Sequence, residues 1–259
     1  MSPKKVALVS ADNERTQAQL TEFQRLVAEV GPDAEVVWVD SEQPEADLVA
    51  ELEDTVAILH GYAAKLSVDV LKQVPTVKLV QTMSAGTDYV DKPGLHAIGV
   101  GVANNGGGNA VAVAEHAIWL MVAVYRRLDE QIRDTAAGLW SQNVAPHREE
   151  AHDLSEKTVG IVGLGRIGSR VARRLQGWEC KVVYYDVIEF SREYEDELEV
   201  ERVTMDELVA MSDVITLHTP LEPTTRHLMS TDQFKAMKET AILINSCRGP
   251  VVDEDALVA

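Results

Sequence analysis

Short apolar runs alternate with amphipathic stretches along the whole chain. Runs at 4–10, 35–39, 55–59, 77–82 and 99–103 have the length and the continuous apolar character of strands covered on both faces, and the first is followed by a helical period over 16–30 that stops at Gly31-Pro32. Strands of this kind separated by helices predict a parallel sheet. The pattern restarts with strands at 158–162, 181–185, 213–217 and 240–244, helices at 204–211 and 232–237, and a further helix starting near Asp253. Between the two series, residues 110–127 are apolar nearly all round (Val113, Ala117, Trp119, Leu120, Met121, Val124), which predicts a helix buried between layers, domains or subunits. Its odd polar pair is Glu115 and His116, and His116 reads as a hydrogen-bonded core residue. The run Gly106-Gly107-Gly108 between Asn105 and Asn109 marks a junction. It divides the chain into domains at 1–104 and 105–259. Residues 138–151, with Trp140, Pro146, His147 and Arg148, read as irregular chain packed over that junction, and 189–201 as acidic and unpatterned.

The most specific chemistry lies in residues 158–186. The strand Val159-Gly160-Ile161-Val162 enters Gly163-Leu164-Gly165-Arg166-Ile167-Gly168, a helical pattern follows, and a second strand ends on Asp186, 23 residues after Gly163 (186 − 163). Strand, glycine turn, helix, strand and acid together form a dinucleotide fingerprint. Gly163 permits the tight turn, Gly165 lets a pyrophosphate approach the backbone, and Gly168 lets helix and sheet pack closely. The helix N-terminus attracts the phosphates. Asp186 accepts hydrogen bonds from the adenosine ribose hydroxyls and repels a 2′-phosphate, so NAD is expected over NADP.

Three other strand ends carry candidates. Ser84, Ala85 and Gly86 follow the fourth strand, where consecutive backbone N–H groups can hold an anion; a plain turn remains an equal reading. His218, Thr219 and Pro220 follow the strand at 213–217 and can border a cofactor. Arg248 follows the strand at 240–244 and aims a planar fork of donors into the crevice, suited to a carboxylate or carbonyl oxygen; a surface salt bridge is the competing reading.

Composition narrows the partners. Acidic residues number 42 against 24 basic ones, a net charge of −18. That argues against nucleic acid and anionic membranes. Because the acids run along the whole chain, adaptation to high salt is one expectation and ordinary acidity the other. The two cysteines, Cys180 and Cys247, suggest neither a disulfide framework nor a metal site, and a cytoplasmic location follows. No apolar stretch is long enough to span a bilayer.

Taken together, the Ser-Ala-Gly-Thr-Asp turn, Asn109-Ala-Val-Ala-Val-Ala-Glu-His116, the glycine turn, Asp186, His218-Thr-Pro-Leu and Asn245-Ser-Cys-Arg-Gly resemble the D-isomer-specific 2-hydroxyacid dehydrogenases. The resemblance implies an α/β protein of two doubly wound parallel-sheet domains: a flavodoxin-like substrate domain and a Rossmann NAD-binding domain, both incomplete at the C-terminus. It implies NAD as cofactor, a small 2-oxo or D-2-hydroxy acid as substrate, and a homodimer formed through the NAD domain. By the same resemblance Ser84, Ala85 and Gly86 hold the substrate carboxylate, and Asn109 lies near substrate and nicotinamide, most clearly in formate dehydrogenases. Arg166 and Ile167 contact the pyrophosphate, and Thr219, Ser246 and Cys247 line the nicotinamide side. Arg248 becomes the catalytic arginine. The family's later acid and its acid–base histidine have no counterpart before Ala259, so the sequence reads as a truncated chain of doubtful activity. An NAD-dependent formate dehydrogenase and a non-catalytic NAD-binding regulator of the same fold stay open.

Overall fold

A computed structural model describes residues 3–31, 33–61, 64–139, 149 and 151–259. The backbone divides into two compact units, Met1–Gly108 and Asn109–Ala259. The irregular stretch expected around Trp140, Pro146, His147 and Arg148 lies outside the described residues.

The first unit is built on β1 (Lys4–Ser10), β2 (Ala34–Asp40), β3 (Thr55–His60), β4 (Leu79–Thr82) and β5 (Gly101–Ala103). All pair in parallel, in the order β2-β1-β3-β4-β5, the flavodoxin-like doubly wound arrangement. Ala7, Val9, Ile58 and Val80 are fully or almost fully buried between helices on the two faces. Those helices are α1 (Glu14–Val30), α2 (Glu45–Glu51), α3 (Val68–Lys72) and α4 (Lys92–Ala97). The last three are one to two turns long, too short to show a period, and are announced only by their caps, such as Ser67 accepting from Val70 N and Asp91 from Gly94 N.

The second unit begins with α5 (Ala110–Tyr125), which ends where Arg127 turns left-handed (φ 52°) into α6 (Leu128–Ala136). Its sheet contains β6 (Thr158–Val162), β7 (Lys181–Tyr185), β8 (Val200–Arg202), β9 (Val214–Leu217) and β10 (Ile242–Asn245). These are parallel in the order β10-β9-β6-β7-β8, the Rossmann arrangement with the glycine strand β6 at its centre. Helix α7 (Gly168–Leu175) buries Val171, Ala172 and Leu175 and turns Arg173 outward to Glu197. α8 (Arg192–Leu198), α9 (Met205–Met211), α10 (Thr231–Ala236) and α11 (Glu254–Val258) complete the unit.

Two expectations differ from this. The acidic stretch 189–201 contains α8 and the edge strand β8; Ser191 caps the helix by accepting from Tyr194 N, and Glu195 turns inward to accept the Tyr184 hydroxyl at 2.6 Å. A buried glutamate inside a run of acids hid the amphipathic face. His116, expected as a core residue, is exposed on α5 and stacked on Trp119, itself 54% exposed, while Ala114, Ala117 and Met121 of the same helix face the core. Among the described residues no helix is long and apolar enough to cross a membrane.

Candidate functional site

The carboxyl ends of β6, β7, β9 and β10 carry the second unit's candidates to one edge of the sheet. Backbone hydrogen bonds stitch that edge: Gly163 N donates to Tyr185 O and His218 N to Val162 O, each at 2.8 Å. Gly163 has φ 93°, and a Cβ there would meet the His218 carbonyl oxygen at 2.9 Å. A Cβ on Gly168 would overlap the Gly163 carbonyl oxygen, so α7 closes onto the turn only with glycine at this point. The segment between them is open: Gly165 and Arg166 are exposed, and a Cβ on Gly165 would meet nothing within 4 Å. In the first turn of α7, which begins here, Ser169 N donates to Gly165 O and Arg170 and Val171 N to Ile167 O, so the helix start offers an anion its dipole behind the open glycine turn.

Asp186 is held from two sides. Leu164 N donates to its Oδ2 at 2.8 Å and Ile188 N to its Oδ1 at 2.9 Å. The carboxylate is thereby fixed beside the glycine turn with further lone pairs left for hydroxyl donors. The Leu164 amide escaped the sequence reading because a backbone donor has no residue-type signal.

At the ends of β9 and β10 the buried polar atoms His218 Nδ1, Thr219 Oγ1 and Ser246 Oγ have no hydrogen-bond partner among the described residues. Orphaned buried donors and acceptors are costly and mark a place where a polar ligand fits. His218 Nε2 lies 3.0 Å from Thr216 Oγ1, and burial pushes the imidazole pKa down to about 4, so the ring is neutral near pH 7. Burial pushes the Cys247 thiol up, which keeps it protonated. An open glycine turn at a helix N-terminus, a fixed carboxylate and a row of unsatisfied polar groups fit the phosphates, ribose and amide-bearing ring of a nicotinamide dinucleotide.

Arg248 owes its position to Asn245. The Asn245 side chain accepts from Cys247 N at 3.1 Å and donates to Arg248 O at 2.9 Å, closing a tight turn off β10. Arg248 Nη1 donates to Cys247 O at 2.9 Å, which bends the guanidinium over its own turn. Together with Ala112, Val113, His116 and Leu120 of α5, this turn lines a cavity of about 580 Å³. His116, expected in the core, is a wall residue of that cavity. Asn245 was within reach of the sequence, since asparagine at a strand end before an Arg-Gly pair is a turn signal. Asn109 caps the start of α5 without a side-chain cap bond.

In the first unit the turn after β4 is fixed by its carbonyls. Ser84 Oγ donates to Gly86 O at 2.8 Å and lies 2.9 Å from the Tyr89 hydroxyl. Thr82 Oγ1 donates to Ser84 O and Asn104 Nδ2 to Ala85 O. Three carbonyls of the turn are thus hydrogen-bonded within the unit.

A family model described as "D-isomer specific 2-hydroxyacid dehydrogenase, NAD binding domain" matches residues 118–259. A glyoxylate reductase of Thermofilum pendens is 36% identical over 215 residues, covering 82% of this chain and 62% of the relative. The chain therefore spans about three-fifths of that relative's length. Among solved structures, an apo D-mandelate dehydrogenase of Rhodotorula graminis aligns with TM-score 0.82 at 27% identity, over 99% of this chain and 77% of the other. An NAD-dependent formate dehydrogenase from Staphylococcus aureus in complex with NAD aligns with TM-score 0.78 at 31% identity, over 98% and 76%. Since the family match takes in more than half of its residues and falls on the unit that holds the glycine turn, the chain belongs to the D-isomer specific 2-hydroxyacid dehydrogenase family, and its cofactor is NAD.

Proposed function

We propose that the protein is an NAD-dependent oxidoreductase that interconverts a 2-oxo acid and the corresponding D-2-hydroxy acid, with Arg248 as the group that polarises the substrate. The supporting observation is the Asn245-built turn, which holds the guanidinium over a 580 Å³ cavity beside the orphaned Ser246 hydroxyl. In this reading Gly163, Gly165, Arg166, Ile167 and Gly168 receive the pyrophosphate, and Asp186 receives the adenosine ribose. His218, Thr219, Pro220, Ser246 and Cys247 border the nicotinamide. Ser84, Ala85 and Gly86 hold the substrate carboxylate through backbone N–H groups, and Asn109 stands near the reacting carbon. The nicotinamide supplies the hydride. Arg248 donates to the carbonyl oxygen, where negative charge develops as the carbonyl is reduced, and neutral His218 fills the cofactor side without adding a second positive charge.

Turnover of glyoxylate, hydroxypyruvate or pyruvate with NADH is the assay that tests this reading. R248Q is expected to lower kcat/KM by about 10²–10³-fold, the cost of an oxyanion donor, while the NADH dissociation constant stays within a few-fold. An R248Q variant as active as the parent would overturn the assignment.

The formate reading is supported by Asn109 and by the 31% identity to a formate dehydrogenase over 98% of the chain. It predicts NAD reduction by formate and none by D-2-hydroxy acids in the same assay. NADH binding without turnover of any of these compounds points instead to a regulator of the same fold.

A further inference from the structure

Cofactor choice in this fold is usually assigned to the acid at the end of the second Rossmann strand, here Asp186. A second charged pair stands beside it. Arg202 lies on β8, in register with Tyr184 of β7, two residues before Asp186. Its Nη2 lies 3.3 Å from the Asp186 backbone oxygen, and its Nη1 donates to Glu189 Oε1 at 2.9 Å. The pair is solvent-facing, with side chains 36% and 79% exposed for Arg202 and Glu189. Exposed ion pairs of this kind contribute little to stability. Between Asp186 and Glu189, Val187 and Ile188 project into solvent at 84% and 60% exposure. The loop is therefore not packed down for the sake of the fold.

The chemistry at this point is asymmetric. Asp186 accepts the Leu164 and Ile188 amides and repels a phosphate on the ribose. Without its carboxylate those two amides become unpaired donors, and an arginine stands one hydrogen bond from the same backbone. That set suits a phosphate. What opposes it is Glu189, which both occupies the guanidinium and adds a negative charge.

We infer that Glu189 is a second determinant of cofactor choice: by pairing Arg202 it withholds the guanidinium that would otherwise accept a phosphate on the adenosine ribose. The inference rests on the assignment of this crevice to NAD. Asp186 and Glu189 then exclude NADP independently, and removing Asp186 alone weakens NAD binding without creating an NADP site.

Dissociation constants for NADH and NADPH, measured by titration calorimetry on the 259-residue chain, test this in the parent, D186S, D186S/E189Q and D186S/E189Q/R202Q. D186S should weaken NADH and leave NADPH poor. Adding E189Q should tighten NADPH by about tenfold, the scale of one charge-assisted contact at an exposed site. R202Q should abolish that gain, and added KCl should shrink it. Melting curves confirm that each variant is folded. If E189Q brings no NADPH gain in the D186S background, the inference fails. A gain that survives R202Q overturns it as well, because the effect is then general relief of negative charge. A folded parent chain that binds no NADH overturns the cofactor assignment itself and this inference with it, an outcome distinct from the other two.

Discussion

His218 shows how one residue ties the cofactor edge to pH. It leaves the buried strand β9, whose four residues are all inaccessible, and its ring follows them inward. Burial holds the folded-state pKa down to about 4, against an ordinary value of about 6.5. As pH falls, the unfolded chain therefore takes up this proton first. The stability associated with a neutral His218 is complete above about pH 6.5 and is lost as pH falls from there toward 4. His60 shifts in the same direction for the same reason, since it is 4% exposed at the end of β3. In thermal melts between pH 7 and 4, H218N should flatten the fall of Tm with pH without removing it, because His60 still contributes. An unchanged slope would mean that His218 titrates at its ordinary value and that the crevice beside it is wetter than its burial implies.

At the scale of elements, α5 presents three faces. Ala114, Ala117 and Met121 pack into the core of the second unit; Ala112, Val113, His116 and Leu120 line the cavity with Arg248; Val111 and Trp119, both about half exposed, form a third strip. Glu115 on that strip pairs with Arg174 of α7 at 3.0 Å. A helix apolar on all sides needs cover on all sides. We propose that the homodimer implied by the family resemblance, formed through the NAD-binding unit, supplies that cover with a second copy of the same strip. W119E should then shift the sedimentation of the protein toward the monomer, while the fold, which does not bury Trp119, keeps its Tm within a few degrees. A W119E protein that sediments like the parent would move the interface elsewhere. The sequence resolved this helix as an apolar segment but not its three faces, because hydropathy alone does not separate a core contact from a subunit contact. Legibility elsewhere follows the same physics. The strands β1, β6, β7 and β9 are continuous apolar runs and could be read directly, and the glycine turn could be read because Gly163 and Gly168 are forced by backbone geometry. Helices of one or two turns, α2, α3, α4 and α8, were not readable from period. The partners of Asp186 were not readable either, because they are backbone amides.

At the scale of the whole molecule the dominant fact is charge. An excess of 18 negative charges repels itself within the folded chain, and the surface pairs offset only part of it. Arg25 bridges Glu22 and Glu29, Lys181 meets Glu201, Arg173 meets Glu197 and Arg192 meets Asp196, but most of these side chains are more than half exposed, and each pair is worth about 0–1 kcal/mol. Added salt acts on both terms with opposite sign. It weakens the pairs, which destabilises, and it screens the excess repulsion, which stabilises. Acids outnumber bases by 42 to 24 and crowd elements such as α8, where Glu193, Glu195, Asp196, Glu197 and Glu199 share one short segment. The repulsive sum is therefore the larger, and Tm should rise by several degrees between low salt and molar KCl, a shift equivalent to about 1–3 kcal/mol for a chain of this size. Sucrose at matched osmolality separates screening from solvent exclusion: only KCl should also flatten the destabilisation caused by adding one more exposed acid, as in A18E on α1, four residues from both Glu14 and Glu22. A Tm indifferent to KCl would show that the acids are far enough apart to be screened already by water, and that high-salt adaptation has no part in this protein.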